Sequence, residues 1–158
     1  MSPEKPGAYD IGVSVDRAFR KAVSASALRA AVVRTLASEG VHKAELGVVV
    51  TDDDALRELN REHRGLDEPT DVLSFALSEG DDATFVLPPD DTRHLGEVIV
   101  SYPTVERQAQ DAGVKPTREL LHVLVHGVLH LLGHDHETPE EESAMHAREE
   151  AILASLAP

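Results

Sequence analysis

Between Leu120 and Leu132 the chain is apolar almost without interruption, and this run constrains the fold more than any other feature. Leu120, Leu121, Val123, Leu124, Val125, Val128, Leu129, Leu131 and Leu132 make a helix that is apolar nearly all round, and such a helix is buried. Yet His122, His126 and His130 interrupt it, and a buried imidazole is costly unless it finds a partner. Residues four apart share a helix face, with Cβ atoms roughly 5–6 Å apart, so His126 and His130 can aim at one point. Gly133 suits the left-handed conformation that ends helices. Beyond it the chain can turn back and bring His136 to the same point from the side. Three neutral imidazoles with an open fourth position describe a catalytic zinc site rather than a closed structural one. His126, His130 and His136 are therefore the expected ligands of one Zn2+ per chain. A lone histidine on an apolar helix is usually an ordinary hydrogen-bonded core residue. Here six of the nine histidines fall between His122 and His146, and a metal satisfies His126 and His130 together. His122 is expected to support or pack against the site rather than to be a fourth ligand.

The run HGVLHLLGHDH also matches the zinc-peptidase pattern H-E-x-x-H-x-x-G-x-x-H at each ligand and at the glycine. It departs from it in one place. Peptidases of this type need a Glu directly after the first His as general base for the attacking water, and this chain has Gly127 there. The metal pattern is kept while the peptidase base is absent.

A second segment, NREHRGLDEPTDVLSF from Asn60 to Phe75, points the same way. Together with Gly96–Ser101 (GEVIVS) and His126–His136, it resembles the YbeY family of bacterial rRNA-maturation endoribonucleases. That family's pattern is roughly N-x-x-aromatic-R-x-x-D-x-P-T-D-V-L-S-F, then a G-D/E-I-x-I-S strand, then H-G-x-L-H-L-x-G-Y-D-H. The resemblance runs from about Val48 to Leu153. It implies that His126, His130 and His136 are the metal ligands and that Arg64 is the functional arginine. It implies a single-strand-specific, metal-dependent endoribonuclease that matures the 3′ end of small-subunit rRNA and serves ribosome quality control. The implied partners are single-stranded RNA and the small ribosomal subunit or its assembly factors, with neither DNA nor a membrane involved. The chain departs from the pattern at His63, where an aromatic residue is usual, and at Ala76, Glu97 and His134, where Pro, Asp and Tyr are commoner. His134 adds an imidazole beside the site.

Charge qualifies this reading. The net charge is −14, whereas nucleic-acid binders usually carry a basic patch. Arg57, Arg61 and Arg64 recur at helical spacing and can form a local basic stripe. Arg57 reads as a solvated face. Arg64, at the helix exit before a tight loop, reads as functional. The chain has no Cys, which excludes disulfides and thiolate ligands and fits a reducing cytoplasm. MSPEKPGAYD lacks the apolar core of a signal peptide, and no apolar run approaches the roughly 18 residues of a membrane span.

The expected fold is α+β: one domain over residues 1–158 with a small mixed sheet of about four strands and the histidine helix at its centre. Strands are expected at 8–15, 46–51, 70–76 and 95–101. Helices are expected at 25–38, from Asp52–Asp54 to about His63, from Pro103 to Gly113, from a Thr117 cap through the histidines, and from Thr138 to about Leu156. Residues 78–93 read as a mobile acidic loop. Strand order is not readable. Arg64 is expected to hold the scissile phosphate through its planar fork. The attacking oxygen is either a metal-activated water or the substrate's 2′-hydroxyl. Asp135, Glu97 and Glu119 are candidate bases, and Asp135 is also suited to orient a ligand histidine. Two other readings are a zinc hydrolase of another bond, such as a peptide, and a non-catalytic ribosome-assembly factor with a structural metal.

Overall fold

The computed structural model describes residues 8–77, 92–134 and 137–156. Apolar alternation builds the sheet. In β2 (Lys43–Thr51) Ala44, Leu46, Val48 and Val50 are buried, while Glu45, Gly47, Val49 and Thr51 point the other way, as the period of two in a strand requires. β1 (Ala8–Val15) lies parallel to β2, and β2 lies parallel to β4 (Arg93–Ser101). β3 (Val72–Ala76) runs antiparallel to β4, so the order is β1-β2-β4-β3. The sheet is mixed, as expected.

Helices cover its two faces unequally. α1 (Ala25–Ser38) and α4 (Pro116–Leu131) pack on one face, where Leu28, Val32 and Leu36 meet Leu124 and Val128 over Val48, Val98 and Val100. α5 (Pro139–Leu156) closes over α4 through Met145, Ile152 and Leu153 against Val125 and Leu129. α4 is thus enclosed by α1, α5 and the sheet, with α3 (Tyr102–Ala112) also against it. That is the burial its sequence demands. α2 (Asp53–Arg64) lies on the opposite face, where Leu56 packs on Leu73 and Ile99. It covers only the β4–β3 half. Beside it remains a groove of about 470 Å3 lined by Asp10, Glu45, Phe75 and Glu97.

Most element ends follow local rules. Ser24 and Asp52 cap α1 and α2 with their side chains, and Gly65 and Gly113 end α2 and α3 with φ of 70° each. Thr138 Oγ1 accepts the Glu141 N–H at 3.1 Å, the first arm of the expected capping box. Some boundaries differ. β2 begins at Lys43 because parallel pairing with β1 draws in the polar residues before Leu46. β3 starts only at Val72, and β4 already at Arg93. The expected loop therefore loses Arg93 to the sheet, and its residues 78–91 lie outside the described residues. Thr117 does not cap α4. Lys115 takes the cap position and Pro116 the first turn, where its fixed φ and missing N–H are tolerated.

Candidate metal centre

α4 presents His122, His126 and His130 on successive turns. The helix closes as the sequence suggests. Gly133 has φ 96°, its N–H donates to the His130 carbonyl at 3.0 Å, and the His134 N–H donates to the Leu129 carbonyl at 3.1 Å. This paired closure turns the chain back sharply. The His126 and His130 rings meet edge-on, their centroids 5.3 Å and their planes 66° apart. Residues 135 and 136 lie outside the described residues, so neither His136 nor Asp135 is placed. Among the described residues no three His, Cys, Asp or Glu side chains are grouped to hold a metal.

The group that organises the histidines is one the sequence reading missed. Glu149 of α5 is only 4% exposed. Its Oε2 accepts from His126 Nδ1 at 2.5 Å, and its Oε1 accepts from His122 Nε2 at 2.9 Å. Burial alone would raise this carboxyl. The two imidazole donors outweigh burial and hold it down to about 2. Glu149 is therefore ionised and can only accept, so His126 must carry its proton on Nδ1. In the neutral ring the lone pair is then on Nε2. The hydrogen bond to Glu149 likewise raises His122 above the usual histidine value. His122 is engaged with this carboxylate, with Glu119 3.7 Å from its other nitrogen. The donor set fits zinc, which takes neutral imidazole. A signal for Glu149 was present in the sequence. Met145, Glu149, Ile152 and Leu153 fall at the spacing of one helix face, so a charged residue interrupts an otherwise apolar stripe.

Gly127 proves to be a packing position. It faces the sheet, where an added Cβ would lie 2.7 Å from Val98 Cγ1 and 3.2 Å from both Ser74 Oγ and Val72 Cγ2. Ser74 Oγ donates to the Gly127 carbonyl at 3.0 Å. A Glu here would be driven into β3 and β4, away from the imidazoles. The position that holds the peptidase base therefore has no access to the site in this fold.

The candidate bases separate. Glu97 projects from β4 to the opposite face, lining the acidic groove. Glu119 stays on the histidine side, in a cleft of about 170 Å3 with Asp71, His122 and His126. A larger cleft of about 620 Å3 opens between α4 and the start of α5, lined by His122, His126, Ser143 and His146. His134 does not compete for the site, because its Nε2 bonds Glu39, which also receives Arg148 at 2.8 Å.

Arg64 is the last residue of α2, the helix that packs on the face of the sheet opposite α4. Arg57 forms a two-bond pair with Asp67 at 2.8 and 3.2 Å, and Arg61 pairs with Glu58. Asn60 Nδ2 donates to the Glu68 carbonyl at 2.9 Å and fixes the loop that follows the helix. Arg64 is exposed and, among the described residues, its side chain makes no hydrogen bond or ion pair. His63 packs edge-on against Phe75 at 4.9 Å, filling the place where an aromatic residue was expected.

The family model for endoribonuclease YbeY matches residues 10–157, so the similarity begins far upstream of Val48. A protein of Roseiflexus castenholzii named endoribonuclease YbeY is 46% identical over 148 residues, 92% of each chain. One of the same name from Chloroflexus aurantiacus is 46% identical over 149 residues, 94% of this chain and 96% of its own. A third, from Moorella thermoacetica, is 47% identical over 133 residues, 83% of this chain and 85% of its own. The solution structure of a Thermotoga maritima protein superposes with a TM-score of 0.61 at 26% identity, covering 92% of this chain and 88% of that one.

Proposed function

The chain belongs to the endoribonuclease YbeY family, and we propose that it cleaves single-stranded RNA with a bound metal, in maturation of small-subunit rRNA in the cytoplasm. One observation carries the metal part of this reading. His126 and His130 stand side by side on a buried helix, and Glu149 leaves Nε2 of His126 as a lone-pair donor. His136 completes the set, and the metal is one zinc per chain. Bound there, zinc would polarise a phosphoryl oxygen and lower the pKa of water to about 7.

The chain's own residues supply the rest. Gly127 offers no base, which disfavours peptide hydrolysis. Glu119 and Asp71 flank His126 in the smaller cleft and are the carboxylates available to take a proton. Arg64 binds phosphate through its guanidinium fork. It is the last residue of α2, which packs on the face of the sheet opposite α4, and it holds the strand as the strand passes the β3 edge. An extended single strand can bend round that edge, while a duplex is too stiff and wide. The opposite groove, with Asp10, Glu45 and Glu97, repels a phosphate backbone. Ribosome quality control belongs to the same proposal, and so does delivery by the small subunit or an assembly factor.

The net charge of −14 favours a second reading, a non-catalytic assembly factor with a structural metal. One comparison decides between them: cleavage of a defined single-stranded RNA by wild type, His126→Ala and Arg64→Ala, purified identically. The nuclease reading expects cleavage by wild type alone, with the Arg64 variant still folded and metal-loaded. A cyclic phosphate end on the product would assign attack to the 2′-hydroxyl. Equal cleavage by all three proteins would mark a contaminant and favour the second reading.

A further inference from the structure

We propose that Glu149 is the positioning residue of the metal centre, fixing the tautomer and ring orientation of His126 from a separate helix. The inference rests on the reading of His126 as a ligand. Glu149 sits on the apolar face of α5, between Met145 and Ile152, and that face is pressed onto Val125 and Leu129 of α4. A leucine there would continue the stripe. A carboxyl group is costly to bury in such a place unless its oxygens find partners, and both are taken, one by His122 and one by His126. The side chain therefore has a single geometry, set by the docking of α5. His126 is held by that geometry with Nδ1 protonated and Nε2 turned away from the carboxylate. A carboxylate on the far nitrogen of a ligand imidazole raises its basicity and removes its rotational freedom, and losing it typically weakens metal binding by 10–100-fold. His122, on the other oxygen, keeps the carboxylate from rotating away. α5 thereby becomes part of the site although it contributes no ligand.

Two measurements test this without reference to RNA cleavage. The first is zinc affinity, from competition with a chromophoric chelator, for metal-free wild type, Glu149→Gln and His126→Ala. A Gln amide can accept from one imidazole through its oxygen but not from both. Glu149→Gln is expected to retain helical content and bind zinc about 10–100-fold more weakly, and His126→Ala to lose zinc. If His126→Ala loses zinc while a folded Glu149→Gln keeps wild-type affinity, the role of Glu149 is refuted and the metal site stands. If His126→Ala keeps wild-type zinc binding, both fall. The second is the nitrogen-15 spectrum of the metal-free wild-type imidazoles, which does not depend on the variant folding. At a pH high enough for the rings to be neutral, His126 should show a protonated Nδ1 and an unprotonated Nε2. The reverse tautomer would overturn the proposal.

Discussion

The hydroxyl of Ser74 donates to the main-chain carbonyl of Gly127 across 3.0 Å, joining edge strand β3 to the middle of the histidine helix. The contact is possible only because residue 127 has no side chain. It sets how deeply α4 sinks onto the sheet, and so where His126 and His130 stand.

Gly127→Ala is therefore expected to destabilise the protein. Helix propensity favours Ala over Gly by about 1 kcal/mol. Against this, the new methyl would sit 2.7 Å from Val98 Cγ1, in a fully buried and stiff side chain. Overpacking of this kind costs roughly 1–3 kcal/mol, so the net effect should be a loss. Urea unfolding measures it, and an unchanged or raised midpoint would contradict the packing described.

Metal content should be about one zinc per chain, with nickel as a substitute that imidazole also accepts. His130→Ala should lose it. With zinc at about 100 times its Kd, binding stabilises the folded state by about 2.7 kcal/mol. A loss of that size lowers Tm by roughly 5–10 °C in a domain of this length. Elemental analysis of untagged protein and paired melting curves, with and without chelator, check both. A low zinc content that His130→Ala does not change would count against the site.

Single-stranded RNA should be cut and duplex RNA largely spared, with weak sequence preference. Base reading in RNA needs aromatic platforms for splayed bases. Among the described residues the aromatics are committed to packing: Phe19 stacks on Tyr102, Phe75 meets His63, and the Tyr9 hydroxyl donates to the Val41 carbonyl. Matched oligonucleotides of both kinds, with permuted sequences, provide the test. Strong sequence-specific cutting of naked duplex would be incompatible with it.

Acid stability should depend on Asp53, which joins the start of α2 to the end of β4 and the first turns of α3. Burial alone would raise its pKa. Hydrogen bonds from Ser101, Thr104 and Arg107 reverse this and hold it below the ordinary value. A carboxyl lowered in the folded state stabilises above its unfolded pKa, and that stabilisation is lost as pH falls through the folded value. Asp53→Asn should cost roughly 1–3 kcal/mol near neutral pH. The gap to wild type should narrow below about pH 4, near the unfolded carboxyl value. Denaturant titrations across that range measure it, and a gap that widens on acidification would reverse the sign argued here.

The sequence by itself determined the α+β class, the burial of the histidine helix, its closure at Gly133 and the family motifs. Each of these is local. An all-round apolar run has one stable environment, four-residue spacing puts imidazoles on one face, and glycine alone enters left-handed turns cheaply. Tertiary structure decided what depends on contact between distant segments. Strand order, the drawing of Lys43 and Arg93 into the sheet and the packing of α2 on the face opposite α4 come from pairing and layer packing. So does the meaning of Gly127, which reads as a missing base in sequence and is a close approach to Val98 in space. Glu149 is the sharpest case. Its place on an apolar stripe was visible, but its partners, His122 and His126, lie on another helix and are brought to it only when α5 docks on α4.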